Sequence, residues 1–196
     1  SYKGGTGRSM ALANVACLLA QREPKGKGVL MIDWDLEAPG LHHFFRSRFT
    51  KRFPNTSTTE SILDKQLGLI DLFIELNRVV PAVNAKEKLT EENAETLLDQ
   101  IQLQRFILET DLPSLHLLKA GSFDDTYARR VTTFPWEDLY QRAPWLLSSL
   151  AQWLANNYQY VLIDSRTGIA DTSGICTMIM PEKLVVVFTP NRQSLL

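Results

Sequence analysis

The chain has 196 residues, 44% of them hydrophobic and 22% charged, with a formal net charge of −1. That length lies near the upper end of ordinary single-domain size and can bury a substantial core, while the near-neutral balance excludes a global basic field of the kind that draws nucleic acid. Two cysteines, Cys17 and Cys176, without CxxC or Cys/His spacing, exclude a disulfide framework or zinc site and fit a reducing cytoplasm. No stretch approaches the length needed to cross a bilayer and no signal-peptide pattern opens the chain, so a soluble cytoplasmic protein is expected.

The first nine residues, Ser1-Tyr2-Lys3-Gly4-Gly5-Thr6-Gly7-Arg8-Ser9, form a glycine-rich turn that runs into an apolar helical pattern over residues 10–20. Gly4, Gly5 and Gly7 let backbone N–H groups approach an anion closely at the positive end of a helix, which is how a phosphate chain is cradled. Ser9 stands where a P-loop places the hydroxyl that helps hold Mg²⁺, and Arg8 fills the slot that usually carries the phosphate-binding lysine. The strict pattern also wants a glycine where this chain has Tyr2, and it has a lysine, Lys3, immediately before the paired glycines.

Gly28-Val29-Leu30-Met31-Ile32-Asp33-Trp34-Asp35 reads as a buried parallel strand ending in two carboxylates. Phe44-Phe45-Arg46-Ser47-Arg48-Phe49-Thr50-Lys51-Arg52-Phe53 interleaves aromatic and basic side chains; single-strand stacking is one reading, and an amphipathic helix that buries phenylalanines and solvates arginines is the favoured one. His42 and His43 have no carboxylate or cysteine at metal-ligand spacing, and they carry no metal expectation. Residues 67–76 and 90–109 have helical apolar spacing, and Pro81 and Pro113 punctuate the stretch. Residues 115–121 read as a further strand and turn. The spacing of Trp145, Leu146, Leu147, Leu150, Trp153 and Leu154 predicts a core-facing helix over 144–157, with Trp136 and Tyr140 extending its packing. Tyr160-Val161-Leu162-Ile163-Asp164 is a second buried strand that ends in acid, and residues 184–191 read as a last buried strand running into a turn.

The arrangement K-G-G-T-G-R-S resembles the deviant Walker A motif of the ParA/MinD family of dimeric P-loop ATPases, usually K-G-G-x-G-K-[ST]. Asp33-Trp34-Asp35-Leu36-Glu37-Ala38-Pro39-Gly40-Leu41 and Asp164-Ser165-Arg166-Thr167-Gly168 are similar to a bacterial branch with G-R-[ST] in the P-loop. The resemblance implies a three-layer α/β/α sandwich with a mostly parallel sheet that binds ATP and Mg²⁺. It gives Asp35 the water-positioning role in switch I, Asp164 the Walker B position and Gly168 a γ-phosphate contact through its N–H. Residues 3–10 (Lys3, Gly4, Gly5, Thr6, Gly7, Arg8, Ser9 and Met10) would hold the phosphates, Ser9, Asp33 and Asp164 the metal shell, and Pro190 and Asn191 the nucleobase. Lys3 would reach across a sandwich homodimer to its partner's nucleotide, so Asp35, Lys3 and Arg8 are the residues tied to catalysis.

The expectation is therefore one partial domain over 1–196, whose first strand and C-terminal elements lie outside the sequence, with a helical insertion at about 84–110 that offers a protein-partner surface. The implied function is a Mg-ATP-hydrolysing dimerisation switch within a larger bacterial regulatory or defence-associated protein, and a nucleotide-sensing module with little or no hydrolysis is the alternative. Arg8 discriminates between them, because a guanidinium keeps the charge of the lysine and not its compact shape.

Overall fold

The computed structural model describes residues 7–22, 26–49, 63–80, 91–165 and 180–187, with backbone alone over 91–95. Four strands form one sheet: β1 (Val29–Asp33), β2 (Leu108–Glu109), β3 (Leu115–Leu118) and β4 (Tyr160–Asp164), in the order β2-β3-β1-β4. β1 pairs in parallel with β3 and with β4, and only the short β2 runs antiparallel. Parallel neighbours require crossovers, and the crossovers here are helical, so helices cover both faces of the sheet.

That burial on both sides explains why β1 is an unbroken apolar run. Every β1 residue is buried, and the pleat sends alternate side chains to opposite faces. Leu30 and Ile32 join a core with Leu118 of β3 and the helices α2 (Leu69–Val79), α3 (Glu91–Ile101), α5 (Trp136–Arg142) and α6 (Leu146–Asn157). Val29 and Met31 join a second core with Leu115 and Leu117, helix α1 (Arg8–Arg22), and a 3-10 helix at Leu41–Arg48. The result is an α/β/α sandwich, as the family resemblance implies. Aromatic packing anchors the larger core: Phe73 meets Trp34, Trp136 and Phe134 edge-on at 5.4, 4.8 and 6.2 Å between ring centres.

Five expectations need correction. β4, expected to be a buried strand, is only half-buried before Asp164, because it lies at the edge of the described sheet. The helix predicted over 90–109 stops at Ile101, because Gln102 turns left-handed at φ 54°; a 3-10 turn (Leu103–Phe106) and β2 follow. The chain between β3 and α6 forms two short helices, α4 (Tyr127–Thr133) and α5, and of the two aromatics expected to extend the core packing Trp136 is buried, whereas Tyr140 is 44% exposed. Trp145, placed in the core from spacing, is the N-cap of α6 and is 49% exposed. Residues 184–187 form no strand, and Leu184, Val185 and Val186 are exposed. An apolar run becomes a buried strand only with a ladder partner and covered faces; the sheet of described residues ends at β4, and 184–187 find neither. The basic-aromatic segment follows its favoured reading only in part as far as residue 49: Phe45 and Phe49 are buried and Arg46 and Arg48 exposed, but Phe44 is exposed as well.

Candidate functional site

The parallel register brings the acidic strand ends together. Asp33 lies opposite Asp164 across the β1–β4 ladder, and the N–H of Trp34 donates to the Asp164 carbonyl at 2.8 Å. Both strands therefore end at one rim of the sheet, the rim where open α/β sheets place their ligands. The N-terminus of α1 faces this rim. Gly7 precedes it at φ +76°, a backbone region that a side chain disfavours, and its carbonyl accepts from the Ala11 N–H at 2.8 Å.

Arg8, the first residue of α1, joins the two strand ends. Its Nη2 donates to Asp35 Oδ2 at 2.9 Å, and its Nε donates to Asp164 Oδ1. The Arg8 side chain is 23% exposed and that of Asp164 only 1%. Burial works against the Arg8 charge, but the hydrogen bonds and negative charge of Asp164, then of Asp35, outweigh it and raise its pKa. Asp35 also accepts the Ala38 N–H through Oδ1 at 3.2 Å, which braces the loop after β1.

Asp33 occupies a different setting. Oδ2 accepts from the N–H groups of Gly40 and Leu41 at 3.1 and 3.0 Å, fastening the start of the 3-10 helix, while the buried Oδ1 has no hydrogen-bond partner. Desolvation raises its pKa to about 7; the Leu41 N–H works against this, and the charge of Asp164 adds to it. A buried carboxylate oxygen without a donor is an atom that calls for a cation or proton.

A second polar cluster, which no sequence pattern flagged, lies beyond β3. Lys119 is fully buried; its Nζ donates to the Asp64 carbonyl at 3.2 Å and sits 4.0 Å from the Phe123 ring centre. Burial lowers its pKa to about 8. Asp71 at the start of α2 accepts from the Gly68 N–H at 2.9 Å and the Ser122 N–H at 2.7 Å, and pairs with Arg130. Tyr127 donates its hydroxyl to the Leu36 carbonyl at 2.8 Å, tying this cluster to the loop that carries Asp35. The spacing Gly68-x-x-Asp71 was the one available signal, since an acid three residues into a helix commonly closes back on the N-cap N–H. A lone lysine at a strand end gives none.

The structure is similar to that of the septum site-determining protein MinD from Pyrococcus horikoshii OT3, solved as a complex with Mg-ADP, with a TM-score of 0.43 and 19% identity over 89% of this chain. The match covers 50% of that protein, so the chain spans half its length. No protein-family model matches the chain, and no curated protein matches it.

Of the residues singled out in the sequence, Arg8, Asp35 and Asp164 meet directly, with Asp33 adjoining on β1. Ser9 and Met10 follow Arg8 in the first turn of α1, where Ser9 is half-buried and Met10 is 54% exposed. Lys3, Gly4, Gly5, Thr6, Gly168, Pro190 and Asn191 lie outside the described residues. Among the described residues no group of three His, Cys, Asp or Glu side chains is arranged to hold a metal by itself, and His42 is buried against Phe123 rather than turned toward a ligand. No helix among them is long and apolar enough to cross a membrane.

Proposed function

We propose that the chain is a Mg-ATP-binding switch of the ParA/MinD type, in which hydrolysis of the bound nucleotide reverses an ATP-dependent homodimerisation. One observation carries this reading: a cationic residue at the N-terminus of α1 meets carboxylates from the C-terminal ends of two adjacent parallel strands. The order of motifs along the chain supports it. Two carboxylates held by a cation, beside a buried carboxylate oxygen with no donor, form a hard-oxygen donor set of the kind Mg²⁺ prefers. Bound there, Mg²⁺ neutralises charge on the phosphate oxygens.

In this proposal the residues divide the work as follows. Backbone amides of residues 4–9 cradle the phosphates, Ser9, Asp33 and Asp164 hold the metal shell, and Asp35 accepts a proton or hydrogen bond from the attacking water. Gly168 contacts the γ-phosphate, Pro190 and Asn191 flank the base, and Lys3 completes the site of a facing subunit. The second reading, a nucleotide-sensing module with very slow hydrolysis, draws on the Arg8–Asp35 contact: a carboxylate engaged by a guanidinium is not free to orient water.

Turnover separates the two. If Asp35 positions water, Asp35→Ala retains Mg-ATP binding and loses turnover by at least about 100-fold, the scale of general-base contributions. Phosphate release and equilibrium binding measured on the same preparation check this. Turnover unchanged by the substitution moves the role off Asp35; a wild type with tight binding and no turnover establishes the sensing module.

A further inference from the structure

We infer that Arg8, held by Asp35 and Asp164, is an internal cation that closes the divalent-metal site at Asp164, and that a metal enters only when nucleotide phosphate draws the guanidinium away. This deepens the Mg-nucleotide reading and rests on it.

The geometry makes guanidinium and metal mutually exclusive. Arg8 Nη2 lies 2.9 Å from Asp35 Oδ2, and Nε is bonded to Asp164 Oδ1. A divalent cation held by Asp164 would need the place at Oδ1 that Arg8 Nε fills, and its charge would repel the guanidinium. An arginine suits this task better than a lysine does. The planar fork offers Nε to one carboxylate and Nη2 to the other, whereas an ammonium offers a single nitrogen.

Arg8 cannot vacate the site by losing its proton, because an arginine stays charged in proteins and its two carboxylate partners favour the charge further. It leaves only for another anion. A nucleotide phosphate at the start of α1 is such an anion, and arginine binds phosphate oxygens bidentately as readily as carboxylates. The exchange requires little of the fold: Arg8 is the first residue of α1, so its side chain can rotate while Ala13, Ala16 and Ala20 keep the helix packed on the sheet. Metal and phosphate then help each other bind, because phosphate removes the competitor and the metal neutralises the carboxylates that Arg8 has left.

The test uses Mn²⁺ without nucleotide, titrated into the full-length protein and followed by electron paramagnetic resonance of the free ion. Wild type is expected to show no saturable site below millimolar Mn²⁺, while Arg8→Met binds one Mn²⁺ at least tenfold more tightly and loses it again when Asp164→Asn is added. Mn²⁺ should also raise the melting temperature of Arg8→Met and not that of wild type. Should Arg8→Met fail to fold, Arg8→Lys takes its place, with an affinity between the two. Equal Mn²⁺ affinity in wild type and the Arg8 variant overturns the inference. Calorimetry of Mg-ATP with wild type is run alongside: absence of nucleotide binding there removes the Mg-nucleotide reading, whereas equal Mn²⁺ affinities with intact nucleotide binding remove the Arg8 closure alone.

Discussion

His42 shows how burial alone sets the charge of a residue. It is 4% exposed, its ring centre lies 4.0 Å from that of His43 and 4.9 Å from that of Phe123, and Nδ1 has no partner. Desolvation, then the positive charges of His43, Lys119 and Arg46, lower its pKa to about 3. The folded state therefore refuses a proton that the unfolded chain accepts below the ordinary histidine value of about 6.5. Stability falls as pH drops through the window between about 6.5 and 3, because the unfolded state binds more protons there. His42→Gln is expected to remove this component: between pH 7.5 and 5, wild type should lose about 2 kcal/mol more than the variant. Urea unfolding of both at the two pH values measures it, and parallel losses would contradict the assignment. At the same scale, the pairing of Arg8 with Asp35 and Asp164 was invisible in the sequence. The residues were conspicuous, but the contacts join positions 27 and 156 residues apart, and an arginine in a glycine-rich loop points equally to phosphate or to acid.

At the scale of elements, the junction of β3 and α2 sets the spacing of the layer that carries the larger core. The N–H groups of Leu69 and Ile70 donate to the carbonyls of Lys119 and Ala120 at 2.8 and 2.9 Å, so the start of α2 lies directly on the chain leaving β3. Gly68 permits the approach. A Cβ there would stand 2.3 Å from the Lys119 carbonyl oxygen and 2.6 Å from the Gly121 nitrogen, both backbone atoms that cannot step aside. Gly68→Ala should destabilise the protein by about 2–3 kcal/mol through overpacking, read as a lower urea midpoint at unchanged slope; a change below about 0.5 kcal/mol would show that the two elements separate freely. Elements whose burial follows a period were legible. β1 is a short apolar run because helices cover both its faces, the same kind of run makes β4 at the edge of the sheet, and α2 repeats its apolar residues every three to four positions, burying Leu69, Ile70, Leu72, Phe73 and Leu76. Others had no period to read. β2 is two residues long and owes its existence to β3, pairing Leu108 with Leu117; the break at Gln102 is a single dihedral choice; and the valines at 184–187 carry strong strand propensity, which cannot supply a neighbouring strand.

At the scale of the whole molecule, two cores on opposite faces of one sheet hold the strand ends in register, and the candidate site is the rim where those ends meet α1. The proposed role of Lys3 requires this rim to face a second copy of the chain. If Lys3 completes a partner's site, ATP binds the dimer more tightly than the monomer and shifts the population toward it. Lys3→Ala should then weaken ATP-dependent dimerisation at least tenfold while changing monomer affinity less than threefold, as read by analytical ultracentrifugation with ATP, with ADP and without nucleotide; a mass that ignores nucleotide would contradict the switch.

The central claim, that the Arg8–Asp35–Asp164 rim binds a metal-nucleotide, is tested most directly by isothermal titration calorimetry of ATP into the full-length protein, with Mg²⁺ and with chelator. The predicted result is saturable binding of one ATP per chain that weakens at least tenfold without Mg²⁺ and, in the presence of Mg²⁺, weakens similarly in Asp164→Asn. Absence of saturable binding with Mg²⁺ present, or binding of equal strength with chelator and in Asp164→Asn, would contradict it.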